Sequence, residues 1–170
     1  LGVTSVRADK DVWGMLEKAV GYLDQRIKED YDWLIRNKVD LKKQHIGWNE
    51  VHFLYARSYF KDIKVRSGCQ DAVGYYLGQA KQYWTTFNKY NQGMIALALH
   101  RGEDKVTPPA IIKSLKEFAI KSEELGMYWK GDGNGMYWYQ APIETQALLI
   151  EAFDEVANDQ ASVEEMKLWL

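Results

Sequence analysis

The side chains of this 170-residue chain that are equipped for chemistry are few and scattered. Cys69 is the single cysteine, so a disulfide within the chain and a cysteine zinc site are both excluded. Gly68 precedes it and a helix is predicted to open near Asp71, so the helix dipole would lower the thiol pKa and make it reactive. The alternative is a small residue at a helix start, which we favour because no partnering histidine lies nearby in sequence.

The three histidines, His45, His52 and His100, are too far apart in sequence to indicate a metal site. His52 lies on an otherwise apolar helical face and is predicted to be a core residue. His100 precedes Arg101 and Gly102, where it is expected to interact with the carbonyls that end a helix. The sequence therefore predicts no metal and no cofactor.

Two carboxylates and a group of aromatic residues form the remaining candidate site. Asp132 and Glu144 would be the catalytic pair if the chain belonged to a carbohydrate-active α/α barrel. The aromatic residues Trp129, Trp138 and Tyr139 would then line a sugar site, or form a contact surface by themselves. The simpler interpretation is that Asp132 serves a turn, Glu144 serves a helix N-terminus, and the aromatic residues are structural.

The elements that position these residues are mostly helices. Apolar residues recur at three- and four-residue steps from an N-cap at Asp9 to Ile35, with Asp24 on the face predicted to be solvated. Shorter helices are predicted after the caps Asn49 and Asn91, and the latter is expected to end at Gly102.

The second half of the chain carries clear helix boundaries. Thr107 followed by Pro108 predicts the start of a helix that Gly126 stops. A further helix is expected from Ile143 to about Val156, and a last one opens at Ser162.

Two similar aromatic segments, 126–130 and 135–139, flank a Gly/Asp/Asn turn and predict a β-hairpin. The short helices begin with related polar openers at Asn49, Asn91 and Glu144, as in a helical-hairpin repeat. Apolar helices alternating with amphipathic ones favour an inner ring shielded by an outer ring. We therefore predict an all-α fold, a partial α/α toroid with a small β-hairpin near 126–140; a stacked solenoid is the alternative.

The charge and hydropathy of the chain argue against binding to nucleic acid and against insertion into a membrane. A net charge of −2 gives no basic surface for nucleic acid. No apolar run approaches the roughly 20 residues that span a bilayer. The chain has no initiator Met and its last residues are helix-like, so we expect residues 1–170 to be one fragment of a toroid domain from a much larger protein. Such a fragment would expose apolar surface at one edge, and we expect it to dimerise or to be less stable than a full domain.

The run from Gly126 through Trp138 to Phe153 resembles the α/α-toroid thioester domain of bacterial alpha-2-macroglobulin-like proteins, in particular the very large forms of Bacteroides-type bacteria. The resemblance extends over most of the chain, from about Val12 to Leu170, and residues 137–153 are its specific part. It implies a non-enzymatic, protease-trapping protein of the periplasm or outer cell envelope, whose partners are target proteases and neighbouring domains.

The thioester of that family requires a Cys-x-Glu-Gln motif. Here Cys69 is followed by Gln70, Asp71 and Ala72, so the Glu-Gln pair is missing and no thioester is assigned to this chain. Two alternatives to the protease trap remain open at this point: a carbohydrate-active enzyme using Asp132 and Glu144, and a plain scaffold that contacts partner proteins.

Overall fold

The computed structural model describes residues 10–130 and 142–170. Within these ranges the chain forms seven α-helices, a short 3-10 turn and one two-stranded antiparallel sheet. The helices are α1 (Lys10–Arg36), α2 (Trp48–Ser58), α3 (Gln70–Tyr83), α4 (Lys89–Arg101), α5 (Thr107–Glu117), α6 (Pro142–Ala157) and α7 (Gln160–Trp169); the 3-10 turn is Trp84–Thr86, and the strands are β1 (Ile120–Ser122) and β2 (Gly126–Tyr128). The prediction of an all-α fold with a small β-hairpin is confirmed.

The chain divides into two compact units, Leu1–Gln79 and Ala80–Leu170. In the first unit, α1 packs against α2. The buried side of α1 presents Val20, Ile27 and Leu34. Gln79 of α3 fastens the loop after α1: its Oε1 accepts from His45 N at 2.8 Å, and its Nε2 donates to Lys43 O at 3.1 Å.

In the second unit the core is built around α4, which is buried on every side from Met94 to Leu99. Helix α5 follows after the short loop 102–106 and packs back against α4 as an α-hairpin. Helices α6 and α7 form a second hairpin of the same kind, with α6 contacting both α4 and α5.

Helices α4 and α6 run in the same direction. Gly93, near the start of α4, faces Leu149 of α6. Arg101, at the end of α4, forms ion pairs with Glu151 at 2.6 Å and with Glu155, both in the later part of α6. The buried helix α4 and the helix α6, which buries one side, are therefore parallel and alternate with α5 and α7, which turn back beside them.

The β-hairpin differs from the predicted one in its pairing. The first predicted arm does form β2, but its partner is β1, in the register Ile120 opposite Tyr128. The second predicted arm, 135–139, lies outside the described residues. Helix α5 ends at Glu117 and does not extend to Gly126. Gly126 (φ 67°) instead follows the hairpin turn. Ser122 Oγ stabilises this turn by accepting from Glu124 N and Leu125 N.

Gly126 is required at its position for a second reason. A Cβ there would lie 2.0 Å from Glu165 O of α7, so the hairpin could not approach α7 with any larger residue. Gln146 of α6 joins the same elements, because its buried amide donates to Met127 O at 2.7 Å and to Met166 O at 3.1 Å. The hairpin is thereby attached to both helices of the α6–α7 pair.

Candidate interaction groove

Cys69 is buried, with 0% of its surface exposed. It occupies the residue before α3, where its carbonyl accepts from Val73 N at 3.1 Å. Burial is the main influence on the thiol and raises its pKa, with Asp24 adding to the effect. The structure thus favours the interpretation of a small residue at a helix start over that of a reactive thiol.

The histidines lie in separate places. His45 Nε2 lies 2.9 Å from Asp40 O, and His52 Nδ1 lies 2.8 Å from Trp48 O one helical turn earlier. His100 is in the last turn of α4. Among the described residues no group of three His, Cys, Asp or Glu side chains is arranged to hold a metal ion.

The structure describes Glu144 but not Asp132, the two residues of the candidate carboxylate pair. Glu144 is exposed in the first turn of α6, which is the position predicted from its preference for a helix N-terminus. Asp132 lies outside the described residues.

The prediction that Trp129 belongs to a contact surface is wrong, because the residue is buried. Its ring is 5% exposed, its Nε1 donates to Leu115 O at 2.9 Å, and it packs against Phe153 at a centroid separation of 5.9 Å. An indole buried on one side of α5 with its N–H satisfied is a core residue, so it offers almost no surface to a partner. Trp138 and Tyr139, the other members of that surface, lie outside the described residues.

A groove in the second unit is the candidate site that sequence reasoning missed. Its volume is about 430 Å³, and it is bounded by the 3-10 turn, the start of α4, the end of α5 and strand β1. Its lining combines aromatic and aliphatic side chains with amides, a hydroxyl and amines: Trp84, Thr85, Phe87, Asn88, Lys89, Gln92, Ser114, Leu115, Phe118, Ile120 and Lys130.

Local hydrogen bonds fix the groove wall nearest α4. Asn88 caps α4 by accepting from Asn91 N at 2.9 Å, and Gln92 Nε2 donates to Phe87 O at 2.8 Å. These bonds hold the segment between the 3-10 turn and α4 in one conformation. Opposite, Phe118 projects from the end of α5 with 74% of its surface exposed. No sequence periodicity indicates this groove, because its walls come from segment ends that only the tertiary fold brings together.

The described lining of the groove combines apolar side chains with a few polar groups. Among the described residues its charged groups are the amines of Lys89 and Lys130. Large apolar side chains beside a few polar groups are typical of sites that hold an apolar side chain of a ligand or partner.

A buried ion pair in the first unit was also missed. Asp24 was predicted to face solvent, but it is fully buried and accepts from Arg57 Nε at 3.0 Å and from Arg66 N at 2.9 Å. Arg57 also donates to the carbonyls of Phe60, at 2.6 Å, and Ile63. Because a buried charge must be paired and hydrogen-bonded, this cluster ties α1 and α2 to the loop that leads to Cys69.

The signal for that cluster was present in the sequence. Asp24 lies four residues after Val20 and three before Ile27, which are the steps of the buried helical face. The neighbouring apolar residue Leu23, by contrast, is 37% exposed.

None of the described helices is long and apolar enough to cross a bilayer. Comparison of the chain with protein-family models, with curated proteins and with solved structures found no match.

Proposed function

We propose that this chain is a non-enzymatic helical wall segment of a large bacterial protease-trapping protein of the alpha-2-macroglobulin type. In this proposal the helices of the chain form part of an α/α toroid, and the protein works in the periplasm or outer cell envelope. Its partners are target proteases and the neighbouring domains of the same protein.

The observation that supports the toroid is the parallel packing of α6 against the buried helix α4. Gly93 with Leu149 at one end and Arg101 with Glu155 at the other require these two helices to be parallel. Buried parallel helices that alternate with returning helices are the unit from which an inner and an outer ring are built. In an up-and-down four-helix bundle the first and third helices lie diagonally across the core, whereas α4 and α6 pack directly against each other.

The protease-trapping role rests on the resemblance of residues 126–153 to the macroglobulin toroid, since a fold alone does not determine function. Two features are compatible with it. The described candidate groove offers apolar and amine groups suited to binding, and Cys69 lacks the neighbours that a thioester needs. The chain would then contribute a surface and a rigid wall, while any covalent tethering would lie elsewhere in the protein.

Protease trapping has a direct test because a trap excludes substrates by size. The intact gene product that contains this chain would be incubated with a panel of endopeptidases, and residual activity would be measured on a large protein substrate and on a small peptide substrate. The expected result is loss of cleavage of the large substrate while the small one is still turned over. Equal cleavage of both by every protease would refute the trap and leave the scaffold interpretation.

A heat-denatured sample of the same protein is the matched control. It presents the same peptide bonds as a competing substrate but has no wall. It should slow both reactions by similar factors, because simple competition does not depend on the size of the reporter.

A further inference from the structure

Helix α1 carries a second apolar face, which is exposed and lies on the side of the helix away from its buried face. Met15, Tyr22 and Trp33 are 70%, 62% and 55% exposed, respectively. Met15 and Trp33 are 18 residues apart, which is about five turns of an α-helix, so the three side chains lie along one line of the helix. The stripe is roughly 27 Å long at 1.5 Å per residue.

Single exposed apolar residues are ordinary, but a line of large ones on one helix indicates a partner. The buried residues of α1, Val20, Ile27 and Leu34, lie on the other side of the helix. We call the exposed line, with the charged residues interleaved in it, the α1 stripe. Its charged members are Asp11, Lys18, Arg26, Glu29 and Arg36.

The α1 stripe is self-complementary when a second copy of the helix runs in the opposite direction. If two copies of α1 lie antiparallel about Asp24, Met15 of each copy meets Trp33 of the other, because both are nine residues from that centre. Tyr22 meets Arg26 in the same way, and an arginine against a tyrosine ring is a favourable pair.

The charges of the α1 stripe follow this symmetry to within one residue. Lys18 lies six residues before Asp24 and Glu29 five after it, so these side chains of the two copies are offset by about 1.5 Å along the helix axis, and Asp11 and Arg36 are offset by the same amount. No pair of like charges faces another in this register. A parallel arrangement would instead place Lys18 against Lys18 and Glu29 against Glu29, which is unfavourable.

We propose that the α1 stripe is the interface of a homodimer in which two α1 helices pack antiparallel about Asp24. The occupant of the face is therefore a second copy of this chain. The interface would consist of two Met15–Trp33 contacts and two Tyr22–Arg26 contacts, bordered by two Lys18–Glu29 ion pairs. This inference stands on α1 alone and does not depend on the protease-trap proposal.

The test is the oligomeric state of the 170-residue chain, measured by sedimentation over a range from about 1 µM to about 200 µM. The wild-type chain is expected to shift from monomer to dimer within this range. A chain that stays monomeric at the highest concentration would overturn the proposal, and so would one that forms oligomers larger than a dimer.

Charge swaps test the register. Lys18→Glu alone, or Glu29→Lys alone, places like charges opposite each other twice per dimer, and each should raise the dissociation constant at least about 10-fold. The double variant Lys18→Glu/Glu29→Lys restores opposite charges only if the helices are antiparallel, so it should recover dimerisation. Equal weakening by the single and double variants would contradict this register.

Two controls separate the α1 stripe from general effects. Lys61→Glu makes the same charge change in an exposed loop and should leave the dissociation constant unchanged. Trp33→Ser should abolish the dimer, whereas Phe118→Ser, which removes a more exposed aromatic residue between α5 and β1, should not. A dimer lost with Phe118→Ser but kept with Trp33→Ser would assign the interface to the groove instead.

Discussion

Replacing Gly93 with valine should weaken the fold by forcing α4 away from α6. A Cβ at this position would lie 2.9 Å from Leu149 Cδ2 and 3.4 Å from Leu148 Cδ2. Leu149 is completely buried, so its methyl groups have nowhere to move. Overpacking of this kind costs about 1–3 kcal/mol, while the better helix propensity of valine returns only a few tenths.

Gly78→Val in α3 is the matched control. A Cβ at Gly78 meets nothing within 4 Å, and this residue too lies inside a helix. Both substitutions restrict the unfolded chain equally, so that contribution cancels when the two variants are compared. We expect Gly78→Val to change the free energy of unfolding by less than about 0.5 kcal/mol.

Urea unfolding followed by circular dichroism measures both variants, and a double-mutant cycle with Leu149→Ala identifies the clash. Leu149→Ala alone should cost about 2–5 kcal/mol. Combined with Gly93→Val it should cost at least about 1 kcal/mol less than the sum, because the new valine fills the space that leucine vacates. Strict additivity, or equal effects of Gly93→Val and Gly78→Val, would refute the close approach of α4 and α6.

Three further predictions concern the buried and charged groups. Asp24→Asn should lower the free energy of unfolding by about 3–5 kcal/mol in a urea titration, because it leaves the charge of Arg57 buried without its partner; a loss below about 1 kcal/mol would contradict the burial of this pair. The hydrogen bond from Lys116 lowers the pKa of Asp159 beneath the unfolded value of about 3.9, so its contribution to stability is present above about pH 4 and is lost as the pH falls through the lower folded pKa. An acid titration of Asp159→Asn should therefore show a shallower loss of stability below about pH 4 than the wild type, and identical titrations would contradict this role. Burial of Cys69 and its raised pKa predict that iodoacetamide labels the thiol only as the chain unfolds, whereas rapid labelling of the native chain at neutral pH would contradict its burial.

The sequence predicted the helices well because their apolar periodicity is strong. The start of each helix was harder to place. Asn91 was predicted to cap α4, but Asn88 accepts from Asn91 N, and Ser162 was predicted to cap α7, but Asp159 accepts from Ser162 N. When two cap residues lie three apart, both satisfy the pattern, and only the tertiary contacts of the next turn decide between them.

The same reasoning applies at α5 and α2. Asp104, rather than Thr107, supplies the side chain that accepts from the backbone N–H groups where α5 begins, those of Val106 and Thr107. At α2 the cap residue is Gly47 rather than Asn49, and Glu50 Oε2 accepts from Gly47 N at 2.7 Å. A side chain that reaches back in this way leaves no distinct signal at the cap position itself.

The groove and the Asp24–Arg57 cluster were not predicted for a different reason. Both depend on residues distant in sequence: Asp24 and Arg57 are on separate helices, and the groove joins residues from Trp84 to Lys130. Periodicity describes one element at a time, so it assigns a charged residue to solvent unless its partner is known. The pairing of β2 with β1 was missed similarly, because the repeated aromatic runs favoured a partner on the downstream side.

The most direct test of the central claim asks whether the packing of α4 against α6 is needed for protease trapping. The intact protein would be compared as wild type, Gly93→Val and Gly78→Val, with the ratio of protease activity on a large and a small substrate as the readout. The account predicts selective protection of the large substrate by the wild type and by Gly78→Val, and loss of that protection in Gly93→Val. Two results would contradict the claim that these helices form the wall of a protease trap. One is a wild type that gives no protection, and the other is a Gly93→Val variant that protects fully although its loss of stability has been measured.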